Sequence, residues 1–165
     1  IPTNIMAFIW NRVLEGLTFA HAAGLTHNAL TPNHVLIHAE SHSGHIIDWT
    51  ASCVKDDAAN SVPPYIDTDR FDGYFPDEIL NPKGTPGPDT DIYMSAWCMV
   101  YLLGGDPGKK LIPSTVEAPV RIFLNKCLQP KRRFRPHTAL DAYTEFNAIV
   151  RDLFGPRKFV EFKMD

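Results

Sequence analysis

Gly16 to Ile37 reads GLTFAHAAGLTHNALTPNHVLI, and three kinds of local order follow one another inside it. Upstream, Ile5, Ile9, Val13 and Leu17, flanked by Met6, Phe8, Trp10 and Leu14, recur at helical spacing, so a helix runs into the stretch and stops near Gly24. Thr3 or Asn4 is placed to cap its start. His27 to His34 carries no period, and Val35-Leu36-Ile37 then makes a short β-prone run. His45-Ile46-Ile47 is its expected partner, across a polar tip with Ser41, Ser43 and Gly44. The local expectation is helix, loop and small hairpin.

Outward from there, Thr50 to about Asp89 has no long periodic stretch, and Pro63, Pro64, Pro76, Pro82, Pro86 and Pro88 interrupt it. A loop of that length inside a domain is usually functional or the sign of a misread fold, so any architecture has to account for it. Ile92 to Leu103 (IYMSAWCMVYLL) is a 12-residue apolar run, well short of the ~20 needed to span a bilayer, and reads as a buried helix. Two helices close the chain. Val120, Phe123, Leu124, Cys127 and Leu128 form one apolar stripe, and Leu140, Tyr143, Phe146, Val150 and Leu153 the other, with Thr138-x-x-Asp141 as a cap. Gly155-Pro156 ends the last helix before a tail over residues 156–165, in which Phe159 and Phe162 among charges can add a strand to a partner or pack back on the domain.

Composition bounds the function. With 165 residues, 44% hydrophobic and 21% charged, the chain is long enough to bury a core as one domain. A net charge of −3 argues against a dedicated nucleic-acid or polybasic membrane module. Cys53, Cys98 and Cys127 are too few and too scattered for a disulfide framework, so a reducing, cytoplasmic setting is the default. Ile1-Pro2-Thr3-Asn4 has no signal-peptide pattern and no initiator Met, which reads as a fragment or processed product.

Several short motifs stand in a fixed order: the loop His27-Asn28-Ala29-Leu30-Thr31-Pro32-Asn33-His34, the triplet Asp48-Trp49-Thr50 after the second hairpin strand, Pro76-Asp77-Glu78, Asp91 opening the apolar helix, and CLQPKRRFRPHTA from Cys127 to Ala139. In that order and with those elements the chain resembles the C-terminal lobe of a protein kinase. The loop is similar to the family's HRDLxxxN catalytic loop, and Asp48-Trp49-Thr50, 19 residues past Ala29, to its DFG triplet. Pro76-Asp77-Glu78 is similar to the APE triplet. The resemblance implies a mainly α fold, a kinase C-lobe-like helical domain over residues 1–155 with a small β-hairpin and a long activation-segment-like loop. It implies structural roles for Asp91, which would accept hydrogen bonds from the loop backbone, and for Glu78 and Arg135, which would form an ion pair. The connection from Gly104 to Pro119 is too short for the family's usual extra helix.

The chemistry the family needs is mostly missing. Phosphoryl transfer relies on a phosphate-gripping loop, a Lys, two metal-holding side chains and an Asp that takes the hydroxyl proton. Here His27 keeps its place, but Asn28 replaces the Arg, Ala29 the catalytic Asp, Thr31 the phosphate Lys and His34 the metal-binding Asn. A methyl group cannot accept a proton, and losing a general base alone costs ~10²- to 10⁴-fold in rate. No G-x-G-x-x-G occurs, so the ATP-roofing N-lobe is absent from this chain. Asp48 stays as a residual metal ligand or as a remnant that caps the following turn.

The expectation is therefore a catalytically inactive, pseudokinase-like interaction or scaffold module without a cofactor. Its protein partner would dock on the activation-segment-like face, residues 50–90, or on the tail. The alternative is an atypical Ser/Thr kinase-like enzyme, or a nucleotide sensor binding Mg-ATP, whose N-lobe lies elsewhere. Three features have competing readings. His34, His38, His42 and His45 are either a metal cluster or a solvated hairpin, and Lys131-Arg132-Arg133 with Arg135 is either a patch for an acidic partner or an ordinary basic run. Cys53 is either a reactive thiol beside Lys55 or an inert one.

Overall fold

The computed structural model describes residues 1–38, 40–54, 71, 73–81, 83–156 and 158. Among them, five α-helices and two two-stranded antiparallel sheets follow in the order α1 (Thr3–Ala22), β1 (Leu25–Thr26), β2 (Val35–Ile37), β3 (Gly44–Ile46), β4 (Cys53–Val54), α2 (Asp77–Leu80), α3 (Pro88–Leu102), α4 (Ala118–Cys127) and α5 (Ala139–Phe154). The domain is mainly α-helical. Residues 55–70, 72 and 82 of the expected activation-segment-like loop, Lys55, Pro63 and Pro64 among them, lie outside the described residues, as do Arg157 and the tail from Phe159 onward.

The core is built where the apolar stripes of α1, α3, α4 and α5 meet. Trp10 of α1 is fully buried, its ring centroid 4.6 Å from Phe146 of α5 and 5.6 Å from Phe123 of α4. Its indole N–H donates to Ser95 Oγ of α3 at 3.1 Å, so the one polar atom of the ring is satisfied at no cost to packing. Along α3, residues Asp89 to Val100 are all buried, which explains why its sequence is apolar all round rather than striped. No helix among the described residues is long and apolar enough to cross a membrane.

Local details differ from the sequence expectation in instructive ways. α1 starts at Thr3 with Pro2 in the capping position, and no side chain caps it. Pro2 presents its carbonyl to the amides of Ile5 and Met6, both at 3.1 Å, and its fixed φ suits a helix entry, so Thr3 and Asn4 fall inside the first turn. At the other end Gly24, at φ 77, turns the chain back. The hairpin pairs Val35 with Ile46, Leu36 with His45 and Ile37 with Gly44, one residue earlier on the second strand than expected. Gly44 lies against α1: a Cβ there would stand 3.1 Å from the carbonyl oxygen of Ile9.

On α5 the buried face is Ala139, Ala142 and Phe146, while Leu140 and Leu153 are exposed at 55% and 36%, so the stripe read from the large residues is rotated. Thr138 caps the helix, its Oγ1 accepting from Asp141 N at 3.0 Å. The Gly104 to Pro119 connection carries no helix before α4 begins, only a bridge between Asp106 and Leu111.

Candidate functional site

The loop after α1 is clamped from below by α3. Asp91, fully buried in the first turn of α3, accepts from Asn28 N at 2.8 Å on Oδ1 and from His27 N at 2.8 Å on Oδ2. The same Oδ2 faces His21 Nε2 of α1 at 2.9 Å. A single carboxylate thus ties α1, the loop and α3 together, and His27, Asn28, Leu30 and Thr31 are at most 1% exposed. Charge-assisted bonds of this kind are about twice as strong as neutral ones.

His27 is fixed in one protonation state by its neighbours. Its Nε2–H donates to the carbonyl of Ile47 at 2.9 Å, and its Nδ1 accepts from Ala29 N at 3.3 Å. The ring stands edge-on to Trp49, with centroids 4.7 Å apart. Burial holds its pKa below the ordinary imidazole value, partly offset by the Ile47 carbonyl. It is a neutral packing group between the loop and the hairpin. Asn28 occupies the left-handed region at φ 66, which Asn tolerates, and its Nδ2 donates to Ala51 O at 3.1 Å.

Ala29 brings a methyl group, 6% exposed, to the place where the resemblance puts a proton acceptor. Its carbonyl accepts from His34 Nδ1 at 2.6 Å, which turns His34 Nε2 toward Asp48 Oδ2 at 3.5 Å; Thr31 Oγ1 lies 3.4 Å from the same Nδ1. Asp48 is exposed and left-handed at φ 58, and it caps the short turn Trp49–Ala51 through the amide and hydroxyl of Thr50. Those two bonds lower its pKa.

As a magnesium site this set does not fit. Mg²⁺ demands several oxygen ligands in octahedral geometry, whereas here one carboxylate is engaged by Thr50 and the adjacent donor is an imidazole nitrogen. Among the described residues no group of three or more His, Cys, Asp or Glu side chains is placed to hold a metal ion. The hairpin histidines do not converge: His38 Nδ1 is held by Ser41, His42 is buried, and His45 is exposed.

A second constellation anchors the chain around Pro76. Arg135, 2% exposed, pairs with Glu78: Nη1 donates to Oε1 and Nη2 to Oε2, the latter at 3.4 Å. Its remaining donors reach Gln129 O at 2.7 Å and Pro130 O at 3.1 Å, and its guanidinium lies 4.5 Å from the Tyr93 ring centroid. Glu78 also accepts from Thr90 Oγ1 at 3.1 Å. Alongside, Arg132 grips Asp89 in a bidentate fork, Nε to Oδ2 at 2.7 Å and Nη2 to Oδ1 at 2.6 Å, and donates to Thr85 O at 2.7 Å. The Asp89 carboxylate raises the Arg132 pKa further. Two of the four basic residues in the KRRFR run therefore have internal partners, and the exposed patch reduces to Lys131 and Arg133.

Sequence reasoning did not single out His21, Asp89, Thr90 or the internal role of Arg132. His21 carried a usable signal, since it continues the buried Leu14 and Leu17 face of α1 as a polar residue on an apolar stripe. Asp89 and Arg132, 43 positions apart, carried none. The cysteines divide by burial: Cys98 and Cys127 are buried with their thiols pushed up by desolvation, while Cys53 on β4 is half-buried. The chain matches no protein-family model and no curated protein.

Proposed function

We propose that this chain is a degenerate kinase-lobe module that binds a protein partner and does not transfer phosphate. The observation that carries the reading is Ala29. The loop around it is held by Asp91 as firmly as a reaction centre requires, yet the side chain at its heart is a methyl group. What supports the lobe assignment is the order of helix, loop, hairpin and buried helix, together with two buried anchors, Asp91 under the loop and Glu78 with Arg135 beside Pro76. What supports a non-catalytic role is that His34 and Asp48 face each other across 3.5 Å and serve the local backbone, His34 through Ala29 O and Asp48 through Thr50. The partner surface in this reading is the segment over residues 50–90, with the tail as a second element.

Titration of the chain with ATP, with and without Mg²⁺, followed by thermal shift and by phosphate incorporation into a protein acceptor, tests the proposal. No shift and no incorporation are expected. A nucleotide-dependent shift without incorporation would establish a sensor instead, and incorporation lost on Asp48→Ala would establish an enzyme. Unchanged partner capture after substitution of Tyr65 together with the exposed Val54 and Leu80 would remove the segment as the docking face.

A further inference from the structure

Away from the loop, a cavity of about 160 Å³ lies between the first three turns of α1 and the end of α5. Phe8, Val150, Phe154 and Pro156 make its walls apolar, and Phe154 is 39% exposed at the mouth. Asn4, Asn11 and Arg12 on α1 supply polar lining, with Gly155 and Lys158 on the other side. Asn11 is 3% exposed, and its Oδ1 has no hydrogen-bond partner among the described residues; nor has Arg12 Nε. A buried amide oxygen and a buried guanidinium N–H left unpaired are both unfavourable, so the cavity lacks one acceptor and one donor.

The charge on Arg12 is already answered. Its Nη1 pairs with Glu15 Oε2 at 2.6 Å, and its guanidinium carbon sits 5.6 Å from the Phe8 ring centroid, which holds it at the cavity wall. A single group that satisfied both atoms would be neutral, giving a hydrogen bond to Asn11 Oδ1 and taking one from Arg12 Nε–H. Lys158 stands at the exposed rim. In size, the space is close to the roughly 150 Å³ apolar cavity that holds a benzene ring.

We propose that this cavity binds an uncharged single-ring molecule whose one polar group, a hydroxyl or a carboxamide, both donates and accepts a hydrogen bond. Asn11 Oδ1 takes the donated hydrogen, Arg12 Nε–H supplies the other bond, and the ring packs among Phe8, Val150 and Phe154. The inference is independent of the kinase-lobe reading, because none of these residues belongs to the loop or to its anchors.

The test is a titration of the full chain with phenol, benzamide, toluene and benzoate, followed by saturation-transfer NMR. Phenol and benzamide are expected to bind saturably, with toluene and benzoate about tenfold weaker or more, the loss expected when a hydrogen-bonding pair is unmet or a charge is desolvated. Val150→Phe, which fills the space, should abolish binding of all four. Asn11→Leu keeps the shape and removes the amide, so toluene should then bind at least as well as benzamide; this reversal decides the matter if Val150→Phe does not fold. Absence of saturable binding, a wild-type preference for toluene, or affinities unmoved by both substitutions would overturn the proposal. So would binding that appears only after residues 159–165 are deleted, since the chain would then be filling its own cavity.

Discussion

Replacing Arg135 by Met keeps the aliphatic stem and removes the guanidinium from a place with no access to water, its side chain being 0% exposed. Glu78, itself 8% exposed, loses both charge-assisted bonds and keeps the Thr90 hydroxyl, with Arg132 Nε 4.0 Å away. The carbonyls of Gln129 and Pro130 lose their donor at the same time. Removing one partner of such a buried pair costs about 3–5 kcal/mol. For a chain of this length that corresponds to a fall in Tm of about 6–20 °C. Glu78→Leu alone strands Arg135 near Asp89 Oδ2, 3.7 Å distant, and should be costly for the mirror-image reason. The double variant leaves neither charge unpaired, so its cost should fall short of the sum by about 2 kcal/mol or more. Urea unfolding followed by tryptophan fluorescence measures all four corners of the cycle. Strict additivity, or an Arg135→Met variant within about 1 kcal/mol of the parent, would refute the idea that this pair is a buried anchor.

Three further outcomes follow from the same geometry. Asp91→Ala strands the amides of His27 and Asn28 and the His21 ring, at about 1–3 kcal/mol for each unpaired group, so cooperative urea unfolding should be weakened severely or lost. Because burial lowers the folded-state pKa of His27, the unfolded chain binds its proton more readily; the stability contribution is complete above about pH 6.5 and is lost as pH falls from there toward the folded value, so a His27→Gln variant should show a shallower loss of stability between about pH 7.5 and 5.5. Gly84→Ala drives a Cβ into the Glu78 carbonyl oxygen and should cost more than Gly104→Ala, where φ is +83 but no atom lies within 4 Å and about 1 kcal/mol is expected; equal thermal shifts for the two would contradict this.

How much of this was legible depended on whether a structural cause left a periodic trace. α4 and most of α1 could be read because each buries one side. α3 could be read because it buries nearly every residue and so appears as an unbroken apolar run. The face of α5 was misjudged because two of its three buried residues are Ala139 and Ala142, and small side chains carry little weight in an apolar pattern. α2 is one turn long, and β1 pairs with β4 through two residues on each side, too short for any alternation to register. At the site, Asp91, Glu78 and Arg135 were legible from motif order. The fork between Arg132 and Asp89 was not, since opposite charges distant in sequence announce neither their pairing nor their burial.

The partition of the thiols has a practical consequence. Two sulfurs sit in the core, one of them donating to the Leu30 carbonyl at 3.6 Å, and desolvation keeps both protonated. Thiolate-directed reagents need a deprotonated, reachable sulfur, so in the folded protein maleimide labelling should stop at a single adduct on Cys53. With no engineering, the chain should offer one attachment point for a fluorophore, on a strand within the proposed docking segment, and unfolding should raise the count of labelled positions from one to three.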